Sequence, residues 1–181
     1  MGQSPPTAAP DLGYPLLPLA PDAYAFESER GNRYTIRFLR YWQEDVVSLY
    51  LGVELAIYEI YFEITEIKQR AHDRRIQLTV MKAITDFLEV DNRVGFFDIY
   101  REDGRGLQNL RVYRMWLRRS EYHRKQKSVM INRIVRIPDQ TDNHIACVIM
   151  GNNQLFVDQD KGRMMDEVLK EIFPRAELIP F

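Results

Sequence analysis

Cysteine is almost missing from this chain: Cys147 is the only one in 181 residues. No internal disulfide can close, and no cysteine cluster is there to hold a metal. That scarcity suits a reducing compartment. Cys147 itself lies in the apolar run Ile145-Ala146-Cys147-Val148-Ile149-Met150. It reads as a small buried hydrophobe, because a reactive thiol wants an electropositive, partly exposed setting. Histidine is scarce too: His72, His123 and His144 include no pair at the i, i+4 spacing of a metal-binding helix. There is no Gly-x-Ser-x-Gly elbow and no glycine-rich loop to cradle phosphates, which disfavours nucleophilic hydrolases and nucleoside triphosphatases. No apolar run reaches the ~18 residues of a membrane-spanning helix. The start Met1-Gly2-Gln3-Ser4-Pro5-Pro6 lacks the basic start and apolar block of a secretion signal. Its likeness to a myristoylation motif fails at Pro6, where Ser or Thr is wanted. No internal repeat is visible. These absences give the expectation of a cytoplasmic protein with no cofactor, no metal and no membrane contact.

An excess of charge of one sign is lacking as well. The formal net charge is -1, so no bulk field draws the chain to DNA or anionic lipid. What the sequence does have is globular material: 45% apolar, 28% charged, with 10 Tyr, 9 Phe and 2 Trp. The aromatics exclude global disorder, and the length suits one domain with a single substantial core.

Six of the nine prolines fall in residues 1–22. Proline fixes φ and removes a donor, so neither helix nor inner strand is expected there. Residues 1–22 read as a proline-rich flexible tail of polyproline character, and residues 23–181 as a single α+β domain. Within the tail, Tyr14-Pro15-Leu16-Leu17-Pro18-Leu19 is greasy enough to lie against that domain.

From Ala23 the pattern alternates. Tyr24, Phe26 and Ser28, then Tyr34, Ile36 and Phe38, flank the turn Gly31-Asn32 and predict a hairpin. Val47, Leu49 and Leu51 share one phase, while Tyr58, Ile60, Phe62 and Ile64 share the other. A phase switch needs a turn or bulge, best placed at Gly52. Strands are predicted at 46–51 and 56–66, the second with Glu59, Tyr61, Glu63 and Thr65 facing outward. Ile76, Val80, Ile84, Phe87 and Leu88 then recur at helical spacing behind a capping Asp73, and this helix is expected to end near Asp91-Asn92. A buried strand over 94–100 follows, then the turn Glu102-Asp103-Gly104. A second helix is predicted over 106–123, strands at 128–137 and 143–150, and a last helix at 163–173 stopped by Pro174. The order β-β-β-β-α-β-α-β-β-α implies an α+β domain with a mostly antiparallel sheet and about three helices.

Several short motifs run through this pattern: Tyr24-x-Phe26, Gly31-x-x-Tyr34-x-Ile36-x-Phe38, Tyr58-x-x-Tyr61-Phe62 and Asp73-x-Arg75-Ile76. Phe96-Phe97-Asp98-Ile99-Tyr100 follows, then Asp103-Gly104-Arg105 leading to Arg111-x-x-x-x-Trp116. In these the chain resembles a small bacterial family of the Bacteroidetes type, a domain of unknown function. The resemblance covers residues 24–173. It implies the fold boundaries and a bacterial cytoplasmic origin, and no chemistry.

Charge is segregated along the chain. Between Arg101 and Ile137 lie eleven basic residues, Arg101, Arg105, Arg111, Arg114, Arg118, Arg119, Arg124, Lys125, Lys127, Arg133 and Arg136, opposed only by Glu102, Asp103 and Glu121. In one reading the second helix, Arg133 and Arg136 form a basic surface for an acidic partner, either nucleic acid or an acidic protein surface. Arginine pairs bidentately with phosphate, and Tyr113, Trp116 and Tyr122 would add stacking on bases. In the competing reading the arginines are neutralised internally, for instance by Glu59 and Glu63 on the neighbouring sheet face.

Two other functions stay open. Asp98, Asp103 and Glu63 would serve a metal-dependent enzyme acting on nucleic acid, although no lysine stands at the spacing such sites use. Asp98 is otherwise expected to meet Arg75 or Arg105, since a carboxylate in an apolar strand is costly unless paired. Gly104 and Gly106 around Arg105 read as a tight turn or, less simply, as a one-phosphate cradle. The third function is a subunit of a larger bacterial complex, docking through its sheet edge or its tail.

Overall fold

The structure, a computed structural model, describes residues 13–41, 56–70, 72–89, 93–97, 111–112, 115–116, 128–136, 144–152, 166–167, 169–170, 174–175 and 177–180. Eight strands form one sheet: β1 (Leu17–Ala20), β2 (Ala23–Glu27), β3 (Arg33–Arg40), β4 (Ala56–Glu66), β5 (Arg93–Phe96), β6 (Ser128–Arg136), β7 (His144–Asn152) and β8 (Glu177–Pro180). Their spatial order is β1-β2-β3-β4-β5-β7-β6-β8. Every neighbouring pair is antiparallel except β4 and β5. That parallel pair needs a crossover, and helix α1 (Arg74–Leu88) supplies it.

The α+β class and the mostly antiparallel sheet agree with the sequence pattern. Of the three expected helices, α1 is described in full. The other two are seen only as short helical stretches, at 111–112 and 115–116, and at 166–167 and 169–170. The strand expected at 46–51 lies outside the described residues. The sequence reading left out two strands, β1 and β8, and both contain a proline, Pro18 and Pro180. Proline breaks a ladder in mid-sheet but is tolerated at an edge, and these are the two edges.

The β2–β3 hairpin forms because its turn is closed twice by backbone bonds. Ser28 N–H donates to Asn32 O at 2.9 Å, and Gly31 N–H to Ser28 O at 2.8 Å. Gly31 has φ of 73°, a left-handed conformation that favours glycine. The resulting register sets Tyr24 opposite Ile36 and Phe26 opposite Tyr34. On β4, Phe62 faces Ile36 and Ile60 faces Phe38. These residues share the inner face, which α1 covers. The Phe87 ring stacks on Phe38 at 3.7 Å and meets Tyr58 edge-on at 4.8 Å. Val80 and Ile84 of the helix are fully buried. As the sequence predicts, Asp73 caps α1, its carboxylate accepting from Arg75 N–H at 2.9 Å. The helix stops at Leu88, where Glu89 N–H closes the last turn on Thr85 O. No helix among the described residues is long and apolar enough to cross a membrane.

Within the segment expected to be a tail, Leu17–Ala20 forms β1 and Tyr14 enters the core, while residues 1–12 lie outside the described residues. Tyr14 is buried to 7% exposure. Its ring stacks on Phe26 at 6.1 Å, and the Arg75 guanidinium lies 4.2 Å from its centroid. Its hydroxyl donates to Asp73 Oδ2 at 2.5 Å, and its N–H to Thr79 Oγ1 at 2.6 Å. The segment comes so close to α1 that a Cβ on Gly13 would stand 2.9 Å from the Thr79 backbone nitrogen.

Deleting residues 1–22 should therefore destabilise the domain by about 3–5 kcal/mol, the usual cost of removing a buried aromatic. A free tail would leave the urea midpoint unchanged. Burial, then the bond to Asp73, raises the Tyr14 pKa above its ordinary 10.0. The fold thus favours the neutral phenol. That stabilisation is complete below the unfolded value and is lost as pH rises through the folded one. In Tyr14→Phe the alkaline fall in stability should be shallower than in the parent, as read from urea midpoints across that range.

Candidate functional site

The period-two alternation of a strand assigns each β4 side chain to a face. Tyr58, Ile60 and Phe62 take the inner face with α1. Glu59, Tyr61 and Glu63 take the outer face, opposite Leu39, Arg37 and Thr35 of β3. That face carries a set of ion pairs. Arg37 meets Glu63 at 3.0 Å, Arg33 meets Glu27 at 3.2 Å and Glu66 at 3.5 Å, and Lys68 meets Glu66 at 3.6 Å. All these groups are roughly half exposed, so each pair contributes little stability.

Against this frame the predicted basic helix can be placed where it is described. Residues 111–112 and 115–116 are helical. Trp116 packs edge-on against Phe62 at 5.9 Å, and its carbonyl accepts from Gln77 Nε2 of α1 at 3.3 Å. Both contacts lie on the inner side of the sheet. Arg111 and Val112 are exposed, while Met115 and Trp116 are half-buried. The helix is thus anchored by its tryptophan and turns Arg111 to solvent. Trp116, expected to stack on bases, is half-buried against Phe62.

This placement bears on the reading in which Glu59 and Glu63 neutralise the helix arginines. Both carboxylates sit on the opposite face from Trp116, and Glu63 is paired with Arg37. Glu63, one of the expected metal set, is the partner of Arg37 on that outer face. Asp98 and Asp103 lie outside the described residues, as do Arg105, Tyr113, Arg114, Arg118, Arg119, Tyr122, Arg124, Lys125 and Lys127. Among the described residues no group of three or more His, Cys, Asp or Glu is placed to hold a metal. Arg75, one expected partner of Asp98, bonds Glu29.

Positions 133 and 136 have opposite parity in β6. Register carries the faces across the sheet: outer Val94 pairs Gly151, which pairs Val129; inner Gly95 pairs Met150, which pairs Met130. The β6–β7 pairing runs on from Val129 to Arg136 without a shift. Position 136 therefore falls on the inner face with α1, and position 133 on the outer face.

The sequence reading missed a polar hub at Asn32, which is buried to 5% exposure. Its Oδ1 accepts from the N–H groups of Lys68 at 2.7 Å and Gln69 at 3.0 Å. Its Nδ2 donates to Gln69 O at 2.8 Å and to the Tyr34 hydroxyl at 3.3 Å. One side chain thus staples the β2–β3 turn to the loop after β4. The loop and the start of α1 carry Lys68, Arg70, His72, Arg74 and Arg75, a basic run that the larger count over 101–137 overshadowed. Asn32→Ala should cost about 1–3 kcal/mol, since several bonds go at once and the loop amides must turn to water. Hydrogen exchange at the Lys68 and Gln69 amides should quicken before the β2–β3 ladder does. Equal quickening throughout the hairpin would deny Asn32 this role.

Compared with models of known protein families and with curated proteins, the chain matches none. The likeness to a Bacteroidetes-type family therefore rests on the short motifs alone.

Proposed function

We propose that this domain is a non-enzymatic binding module that presents a basic helix surface around Arg111 to an acidic partner, either nucleic acid or an acidic protein surface. The observation that carries the reading is the orientation of the helix at Trp116. Its indole is held against Phe62 and Gln77, Arg111 is exposed, and the carboxylates of Glu59 and Glu63 stand across the sheet. The sequence spacing of Arg114 and Arg118 falls on the arc of Arg111 at ~100° per residue. With a local excess of +8 over residues 101–137, such an arc attracts an anionic surface although the whole chain is near neutral. The bacterial origin suggested by the motifs and the reducing setting suggested by the lone cysteine both go with a cytoplasmic partner.

The test is binding to duplex DNA, single-stranded RNA and poly-glutamate, with affinity followed between about 50 and 200 mM salt. The module should bind at least one of them, with log affinity falling linearly in log salt for the nucleic acids. Replacing Arg111, Arg114 and Arg118 together by Glu should abolish that binding while the far-ultraviolet dichroism and urea midpoint stay close to the parent's. Unchanged affinity in the folded triple variant would dismiss the helix as the binding surface.

A further inference from the structure

Among the described residues around the Asn32 hub, some cations are paired with carboxylates and others are not. Glu29 and Arg75 are bonded, which ties the β2–β3 turn to the first turn of α1. Asn32 ties the same turn to Lys68 and Gln69. Arg30 follows Glu29, Arg70 follows Gln69, and Arg74 precedes Arg75. Three arginines from three separate segments are thus brought to one end of the domain. All three are exposed. None makes an ion pair or hydrogen bond among the described residues.

The nearby carboxylates are already occupied. Glu29 serves Arg75, Glu66 serves Arg33 and Lys68, and Asp73 caps α1 and accepts from Tyr14. The hydrogen-bond network consumes the local acids and leaves these guanidinium groups over. It also fixes the backbone from which they project, so binding loses little loop entropy.

We propose that Arg30, Arg70 and Arg74 form a second anion-contact surface, and that its ligand is the phosphate backbone of nucleic acid. The choice of partner rests on the function proposed above, while the residues are independent of it. Two features favour nucleic acid over a compact acidic patch. The cations are all arginine, whose planar fork matches phosphate. They also adjoin the other basic surface, because Arg74 is one helical turn from Gln77, which bonds the Trp116 carbonyl. Cations spread over two neighbouring surfaces are met by a polymer whose charge repeats every few ångströms.

The experiment measures salt-dependent affinity of the full chain for duplex DNA and single-stranded RNA, using the parent and two triple variants. One carries Arg30→Glu, Arg70→Glu and Arg74→Glu; the other carries the Arg111, Arg114 and Arg118 replacements. A milder Arg30→Gln, Arg70→Gln, Arg74→Gln variant keeps the test decisive if charge reversal unfolds the chain. The loop variants should lose about tenfold or more in affinity, and the magnitude of the log–log salt slope should fall by roughly two to three. Loss in the loop variants alone supports this surface and refutes the helix. Loss in the helix variant alone overturns this surface and leaves the helix standing. A parent that binds neither nucleic acid overturns the proposal, and so does equal binding to phosphatidylserine vesicles or poly-glutamate with the same loss in the loop variants.

Discussion

A single file of aromatic rings runs across the inner face of the sheet and decides where everything else can go. Tyr14 stacks on Phe26, Phe26 on Tyr34 at 4.8 Å, and Tyr34 on Phe62 at 5.7 Å; Trp116 then closes the file edge-on. Five rings from five segments are held by packing and burial rather than by one strong bond. The file makes the N-terminal segment part of the core at one end. At the other it docks the helix that carries Arg111. Because it occupies the inner face, the charged residues of β3 and β4 are left to the outer one.

Much of this was legible from period and turn chemistry. The alternation through β2, β3 and β4 gave the correct inner residues, and Gly31-Asn32 marked the turn. Asp73 and the stripe from Ile76 to Leu88 located α1 and its cap. These are local signals, and tertiary context did not override them. The edge strands β1 and β8 were hidden because Pro18 and Pro180 argue against any strand until strand order is known. The parallel placement of β5 was equally hidden, since a four-residue strand carries no sign of its partner's direction.

The candidate sites were legible in kind and less so in place. Charge segregation was plain, and Arg111 is exposed. The spacing of Arg133 and Arg136 already implied opposite faces, because three residues along a strand always change side. The role of Asn32 could not be read at all. Its partners lie 36 and 37 residues away, and nothing local distinguishes a turn asparagine from a hub.

A near-neutral chain can still meet a polyanion, and the layout explains how. Exposed charges are screened over ~8–10 Å in physiological salt, so what a ligand feels is the local set of unpaired groups, not the total of -1. On the outer face acids and bases alternate at ion-pair distance and nearly cancel for any approaching ligand. Around the Asn32 hub the acids are spent on holding turn, loop and helix together, and arginine is left over. The same bonds that build this end of the domain therefore also set its sign. Losing Asp73, which caps α1 and accepts from Tyr14, would touch fold and field at once. This couples the two more tightly than on the outer face, where an ion pair could be lost with little consequence for either.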